Sequence, residues 1–278
     1  FARYIHTANV IKDYFKDTPL KDITKIDYQL FLNTYSKSRA TETVRKLHNH
    51  IRSAVADALD NKIILLDFTR NAVIKGQTPS KKSEEKYLNY GEAKLLSDHL
   101  KKRILKSKSR VNYILLLALL TGMRYAEIVA LTWNDIDFEN RTISVTKSWD
   151  YKYNYSFTTT KNDVSRIVHV DPMTIQVLEI LKLQHENNFL NLIFFSPKAK
   201  SKVISNELCN RMLKQYCHEL KINPISFHGL RHTHASILIY KGVSIHYISE
   251  RLGHSTIQTT LDHYSHLLKE LKEEDITK

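Results

Sequence analysis

The fold of this chain is decided by two stretches near its carboxyl end, H-G-L-R-H-T-H-A (residues 228–235) and R-L-G-H-S-T-I-Q-T-T-L-D-H-Y-S-H (residues 251–266). The first stretch has the apolar spacing of a helix. His228 and Arg231 are three residues apart in it, so they share one face of that helix. The second stretch begins after one further predicted helix and reads as the start of another.

The second stretch contributes His254 and, ten residues later, Tyr264. Cations fixed beside a phenol suit attack on a phosphate, because they stabilise the developing charge while the phenolate oxygen is the nucleophile. The alternative is a zinc site, since His228 and His232 are four residues apart, a spacing found in metal-binding helices. No cysteine or carboxylate completes a clear ligand set, and Arg231 lies between the histidines, which disfavours a metal.

The charge of the chain favours an anionic partner, either nucleic acid or a membrane surface. The 278 residues include 42 Lys and Arg against 29 Asp and Glu, a net charge of +13. Residues 1–86 hold 16 basic and 10 acidic side chains, and residues 87–278 hold 26 and 19. An excess spread over both parts is what we expect of a protein that clamps DNA between two domains.

The spacing of the two cysteines and the length of the apolar runs indicate the cellular compartment of the protein. Cys209 and Cys217 are eight residues apart in a predicted helix, too far along its axis for a disulfide. We expect core thiols in a reducing, cytoplasmic setting. The longest apolar run, residues 114–120, is far too short to span a bilayer. Because the sequence starts at Phe1 inside a helical pattern, we expect a further segment upstream.

Residues 1–75 are predicted to form a helical domain. Thr24 and Asp27 have capping-box spacing, and Thr41 is a candidate cap for the next helix. The apolar stripe predicted for the first helix is Ile26, Leu30, Phe31 and Tyr35. The stripe predicted for the second is Val44, Leu47, Ile51, Val55 and Leu59. Three basic residues lie off that second stripe and are either solvated or phosphate contacts: Arg45, Lys46 and Arg52.

Residues 76–86 (G-Q-T-P-S-K-K-S-E-E-K) are polar and show no hydrophobic period, which predicts a linker. A second domain, residues 87–278, follows. Its β-branched segments at 141–148, 155–160 and 165–170 predict a small antiparallel sheet, and helical patterns lie before and after them. We therefore expect a mainly α fold with a small antiparallel β-sheet.

Two further stretches complete a resemblance to the tyrosine recombinases, or phage integrases, of the type found in phages, genomic islands and conjugative transposons. They are T-G-M-R-Y-A-E-I-V-A-L-T-W-N-D-I-D (residues 121–137) and T-T-K-N-D-V-S-R-I-V-H-V (residues 159–170). The resemblance implies a helical core-type DNA-binding domain over residues 1–75 and a tyrosine-recombinase catalytic domain over residues 87–278.

Carried over residue by residue, the resemblance makes Arg124 and Arg231 the two arginines that clamp the phosphate. A guanidinium suits this role because it offers two parallel N–H groups to the oxygens. Glu127 matches an acidic position one helical turn after Arg124, and we expect it to orient its neighbours in the site. Outside this pattern, Arg124 would read as an ordinary surface arginine.

The same resemblance makes Lys161 the general acid that protonates the leaving 5′ oxygen. Lys147 and Lys152 lie in the same region and are alternatives for that role. His228 would take part in proton transfer near the nucleophile, and His254 would hydrogen-bond a phosphoryl oxygen. His232, His234, His263 and His266 are expected to be structural, close to DNA, or part of the polar surface.

Tyr264 would attack the scissile phosphate and form a 3′-phosphotyrosyl link. The implied protein is a site-specific DNA recombinase that integrates or excises a mobile element as a homo-tetramer on double-stranded core attachment sites. The resemblance also implies a directionality factor and a host DNA-bending protein as accessory partners. No metal or cofactor is expected, and an arm-binding domain would precede Phe1.

Two other functions stay open, a type IB topoisomerase-like enzyme and a DNA-binding regulator without catalysis. The tail after Tyr264 carries an apolar strip that would pack within the subunit or dock on a neighbour: Leu267, Leu268 and Leu271.

Overall fold

The chain divides into two compact units, Phe1–Lys81 and Lys82–Lys278. The boundary falls inside the predicted linker, residues 76–86. The computed structural model describes residues 2–79, 87–107, 109–161, 163–184, 187–262 and 264.

In its described part, the first unit has three α-helices: α1 (Ala2–Phe15), α2 (Lys25–Ser36) and α3 (Thr41–Asp60). The predicted capping box before α2 is confirmed, because the Thr24 side chain accepts the Asp27 N–H while the Asp27 carboxylate accepts the Thr24 N–H. Ala40 is the residue that precedes α3. The Thr41 hydroxyl instead accepts the N–H of Gly76, which ties the chain after the helices back onto this unit.

The buried face of α2 differs from the predicted stripe. Ile26 and Leu30 are 73% and 52% exposed, so their place in the stripe was wrong. The core face is fixed by an aromatic cluster whose polar member, Tyr28, lies 2.9 Å from His48 Nδ1 of α3 through its hydroxyl. The residues of α2 that face this core are Tyr28, Phe31, Leu32, Tyr35 and Ser36. The α3 prediction holds for Val44, Leu47, Ile51 and Val55.

The second unit is organised around a buried helix, α5 (Arg110–Thr121), in which residues 111–119 are all buried. A helix that is apolar all round belongs in a core, and α5 contacts α4, α8 and α9. The other helices of this unit are α4 (Tyr90–Lys106), α6 (Tyr125–Ile128), α7 (Pro172–Leu183), α8 (Asn206–Glu219), α9 (Phe227–Tyr240) and α10 (Ile245–Leu252). Residues 257–262 and Tyr264 are also helical.

The strands form two small antiparallel sheets rather than the single one expected. One has the order β1-β2-β5 and the other pairs β3 with β4. The strands are β1 (Ile136–Asp137), β2 (Thr142–Val145), β3 (Ser148–Trp149), β4 (Phe157–Thr158) and β5 (Arg166–His169). In the larger sheet Val145 lies opposite Arg166 and Ile143 opposite Val168. The predicted mainly α fold with small antiparallel β structure is confirmed.

Cys209 and Cys217 are both buried free thiols on α8. Burial raises the pKa of Cys209 to about 12, so this thiol stays protonated and packs as a small apolar side chain. The expectation of core thiols is confirmed. Within the described part of the chain, no helix has the length and apolar character needed to cross a bilayer.

Candidate active site

A cavity of about 740 Å³ in the second unit brings together four of the six candidate catalytic residues. Its lining includes Arg124, Lys161, His228 and Arg231. These residues come from three separated stretches of sequence, so only the folded chain makes them neighbours. The cavity therefore presents four potentially cationic side chains to one volume.

Arg124 is positioned by the way α5 ends. Gly122 has a φ of +70°, a left-handed conformation that glycine adopts without strain. A Cβ at this position would lie 2.8 Å from side-chain atoms of both His234 and Leu252, so the close packing also requires glycine. The chain then turns into α6, and the Arg124 guanidinium donates to Glu127 Oε1 at 2.8 Å and to the Gly253 carbonyl at 3.1 Å.

Glu127 is a buried carboxylate held between two arginines. Arg166 donates to its two oxygens at 3.2 and 2.7 Å, and Arg124 also donates to Oε1. Burial alone would raise the pKa of Glu127, but the hydrogen bonds and charge of Arg166 and the charge of Arg124 outweigh it, so this pKa is lowered. The carboxylate is therefore ionised and fixes the Arg124 guanidinium at the cavity.

Arg231 is anchored by two backbone carbonyls, those of Gly122 at 2.9 Å and Leu252 at 2.6 Å. Burial, followed by the charge of Arg124, lowers the pKa of Arg231 to about 9, although Glu127 acts in the opposite direction. The guanidinium remains charged at neutral pH. Through these two carbonyls Arg231 joins the ends of α5 and α10, so the position of its guanidinium depends on both helices.

Lys161 lies at the cavity, in the turn between β4 and β5. The two alternatives are placed differently. Lys147 Nζ lies 2.6 Å from both carboxylate oxygens of Asp135, and Lys152 is exposed in the turn between β3 and β4. The geometry thus favours Lys161 over Lys147 and Lys152 as the amine that faces the cavity.

Tyr264 is held against α9 by its hydroxyl, whose oxygen lies 2.8 Å from His232 Nδ1. The side chain is 2% exposed and packs in a small cluster with Ala235, Ile239, Ile248 and Leu252. Burial raises the pKa of Tyr264, while the charge of Arg231 acts in the opposite direction. The phenol is therefore protonated in this arrangement.

His254 follows Gly253, the glycine that ends α10 with a φ of +66°. Its Nδ1 lies 2.7 Å from the hydroxyl oxygen of Thr260, a residue that is fully buried. Because the Gly253 carbonyl accepts from Arg124, the backbone next to His254 is tied to the cavity.

Two residues of the site were not predicted, Arg166 and His232. Arg166 stands in the quoted stretch at 159–170, and its burial alternates in phase with Val168. An arginine on the inward side of a strand is the signal that could have revealed it. His232 carried no comparable signal, because its contact with Tyr264 spans 32 residues. His263, Ser265 and His266 and the leucines of the tail lie outside the described residues.

The described residues do not provide a zinc ligand set around His228 and His232. Across the described residues, no group of three or more His, Cys, Asp or Glu side chains is arranged to hold a metal ion. His228 and His232 instead meet edge to face, with ring centroids 4.7 Å apart at 87°.

Residues 86–270 match the family described as Phage integrase family. The chain belongs to this family. It is 26% identical over 306 aligned residues to a XerC-like tyrosine recombinase of Caldanaerobacter subterraneus, covering 98% of this chain and 75% of that protein. It is 35% identical over 162 residues to the ICEBs1 integrase of Bacillus subtilis, covering 54% of this chain and 43% of that protein. Family members of this kind are site-specific recombinases that cleave and rejoin DNA, and the chain is an enzyme of this class.

The fold is that of solved family members. The Tn1549 transposon integrase in complex with a circular intermediate DNA has a TM-score of 0.76 at 18% identity, covering 95% of this chain and 89% of that one. The XerH recombinase bound to a palindromic difH substrate has a TM-score of 0.77 at 18% identity, covering 99% and 78%. At this identity the likeness concerns the fold alone.

Proposed function

We propose that this integrase family member recombines double-stranded DNA through a phosphotyrosine intermediate, with Tyr264 as nucleophile. The observation that carries the proposal is the cavity that joins Arg124, Lys161, His228 and Arg231. Helix α9 supplies two of these groups and also holds the Tyr264 hydroxyl through His232. The proposed nucleophile and two of the cavity groups, His228 and Arg231, thus depend on one helix.

The proposed reaction is a transesterification at phosphorus. The Tyr264 oxygen bonds to the scissile phosphorus, and the bond from phosphorus to the 5′ oxygen breaks. Arg124 and Arg231 hold the non-bridging oxygens, where negative charge develops. Lys161 gives a proton to the departing 5′ oxygen. The 5′ hydroxyl of the second strand then attacks the phosphotyrosine and reverses the steps. No external energy source is needed, because one phosphodiester bond is exchanged for another.

Two further groups complete the proposed machinery. His228 lines the same cavity, and we assign it to proton transfer near the nucleophile. His254, whose Nδ1 is engaged with Thr260, is assigned to a phosphoryl oxygen through its other ring nitrogen. Glu127 acts on Arg124 and therefore positions the clamp. The residues described here supply the charge stabilisation themselves, so the proposal requires no metal or cofactor.

Double-stranded DNA is the proposed substrate, with the first unit as a core-type binding domain over residues 1–75 and the second as the catalytic domain over residues 87–278. The net charge of +13, shared between both parts of the chain, suits phosphate contacts. The Tn1549 integrase and XerH were solved with DNA, which supports the same partner for this chain. Integration or excision of a mobile element is the proposed biological outcome.

We propose a homo-tetramer on two paired core sites as the working assembly. Strand exchange needs four cleavages, and each subunit carries one candidate nucleophile. A directionality factor and a host DNA-bending protein are proposed as accessory partners, and the tail after Tyr264 as a segment that docks on a neighbouring subunit.

The test of the proposed function uses Tyr264→Phe and a nicked duplex that traps the covalent product. The variant should bind the DNA as tightly as the wild type in a gel shift and form no covalent adduct, because only the nucleophilic oxygen is lost. An adduct that persists would remove Tyr264 from this role. Wild-type protein that binds DNA without forming an adduct would favour the regulator, and relaxation of a plasmid without an attachment site would favour the topoisomerase.

A further inference from the structure

The contact between His232 and Tyr264 has a consequence for how the nucleophile is activated. His232 Nδ1 lies 2.8 Å from the Tyr264 oxygen, within ordinary hydrogen-bond range. The two ring centroids are 5.8 Å apart at 61°. His232 follows Arg231 directly and lies one helical turn after His228, so the segment that lines the cavity also delivers this imidazole.

A nearly inaccessible phenol requires a protein group to take its proton. Tyr264 is 2% exposed, which leaves little room for bulk water to serve as acceptor. Burial raises the pKa of Tyr264, and the charge of Arg231 offsets only part of that effect. Hydroxyl nucleophiles in enzymes are commonly activated by a base at hydrogen-bond distance, and an imidazole is the side chain best suited to accept a proton near neutral pH.

The geometry points to His232 as the proton acceptor for Tyr264, an inference that rests on the proposed function. In the neutral tautomer with hydrogen on Nε2, Nδ1 accepts the hydrogen bond from the phenol. As the Tyr264 oxygen bonds to phosphorus, its proton passes to Nδ1, and the 5′ oxygen leaves with a proton from Lys161. In religation Nδ1 returns the proton to the phenol, while the attacking 5′ hydroxyl gives its proton to the Lys161 amine.

The surroundings of His232 suit this exchange. The His228 ring meets the His232 ring edge to face at 4.7 Å, which restricts its rotation. Among the described residues, two further titratable groups act on Tyr264: Arg231 on α9, whose charge favours the phenolate, and Tyr87, which raises the pKa of Tyr264. The resemblance assigned proton transfer near the nucleophile to His228. His232, one turn further along the helix, is in direct contact with the phenol and takes its proton, while His228 keeps its proposed role beside it.

The decisive variants are His232→Asn and His232→Ala, compared in single-turnover formation of the covalent adduct on the nicked duplex from pH 5.5 to 9.5. Asparagine can hold a hydrogen bond where Nδ1 lies but cannot take a proton. Loss of a general base typically costs about 100- to 10,000-fold, so both variants should be slower by about 100-fold or more at pH 7. Their rates should keep rising with pH up to 9.5, because only hydroxide then removes the proton of the phenol, whereas the wild-type rate should reach a plateau once the imidazole is neutral.

His218→Asn is the matched control, because His218 is an exposed histidine on α8 and its replacement should leave the rate unchanged. Wild-type rates for His232→Asn at every pH would overturn the inference. If Tyr264→Phe forms no adduct in the same assay, the proposed function still holds and only the role of His232 is lost. If Tyr264→Phe does form an adduct, the proposed function is wrong. If His232→Ala unfolds, His232→Asn still decides, because it can keep a hydrogen bond to the Tyr264 oxygen but cannot take its proton.

Discussion

Glu127 shows how much of the site depends on one side chain. Its carboxylate is completely buried and pairs with Arg124 and with Arg166, whose side chain is 3% exposed. Charges removed from water must be compensated by their partners, and loss of one partner from a buried pair is costly. Arg124 at the cavity and the internal Arg166 therefore share a single counter-ion.

We expect Glu127→Gln to destabilise the protein by about 3–5 kcal/mol, because it leaves Arg166 buried without a negative partner. Urea unfolding at pH 7 measures the change. Glu179→Gln, an exposed position on α7, is the control and should stay within about 0.5 kcal/mol. A Glu127→Gln variant as stable as that control would show that the carboxylate charge does not support the site.

The pH dependence of this contribution follows from its sign. The pKa of Glu127 is lower in the folded protein than its ordinary value. The folded state therefore holds fewer protons, and the contribution is fully present above about pH 4.3 and lost as the pH falls through the folded value. The difference in stability between the wild type and Glu127→Gln should accordingly shrink only in acid.

At the scale of elements, the ends of α5, α10 and β5 meet around one histidine in the middle of α9. His234 of α9 lies 3.0 Å from the Leu119 carbonyl through Nδ1, and its Nε2 accepts a hydrogen bond from Arg251 of α10. Arg251 in turn donates to the His169 carbonyl at the end of β5. Burial, followed by the charge of Arg251, lowers the pKa of His234 to about 3. This imidazole therefore stays neutral and holds the elements that carry the cavity residues.

This pKa predicts that His234 contributes to acid sensitivity. An unfolded histidine takes a proton near pH 6.5, whereas folded His234 resists protonation down to about pH 3. Stability from this residue is therefore full above pH 6.5 and falls by about 2 kcal/mol between pH 6.5 and 5. Because glutamine cannot titrate, the free energy of unfolding of His234→Gln in urea should fall less than that of the wild type over that range. The exposed His218→Gln should lose as much stability as the wild type. Equal slopes for all three proteins would contradict the prediction.

The elements themselves were largely predictable, whereas their contacts were not. The local sequence pattern is enough to predict α5, because its unbroken apolar run has to be buried. It is also enough to predict α9, because the start and the helical period of that segment are visible in the sequence. The resemblance pointed to Arg124, Lys161 and Tyr264 as candidates, and the fold brings Arg124 and Lys161 to one cavity. The pairing of Glu127 with Arg166 spans 39 residues, and such contacts arise only when strand and helix pack. The exposed Ile26 of α2 shows the same limit, since an aromatic cluster set the buried face.

At the scale of the whole molecule, the positive charge is distributed over both units. In the first unit, Arg45 and Lys46 project from α3 with side chains 49% and 65% exposed, and both pair with Glu42. Exposed pairs of this kind add little to stability. Because they lie off the buried face of α3, we expect them to contact phosphates, and we expect the first unit to contribute to DNA affinity rather than to catalysis.

We expect the double variant Arg45→Ala and Lys46→Ala to weaken DNA binding and to lower the slope of log affinity against log salt by roughly 2, since each lost phosphate contact removes about 0.9. Anisotropy titrations in the Tyr264→Phe background measure this without covalent capture. Glu42→Gln is the matched control, because it keeps both cations and should not reduce the slope. At saturating protein, the same double substitution with Tyr264 intact should form adduct at the wild-type rate. An unchanged slope would show that any phosphate contacts of the first unit are made by residues outside α3. A slower adduct rate would show that α3 also affects the chemical step.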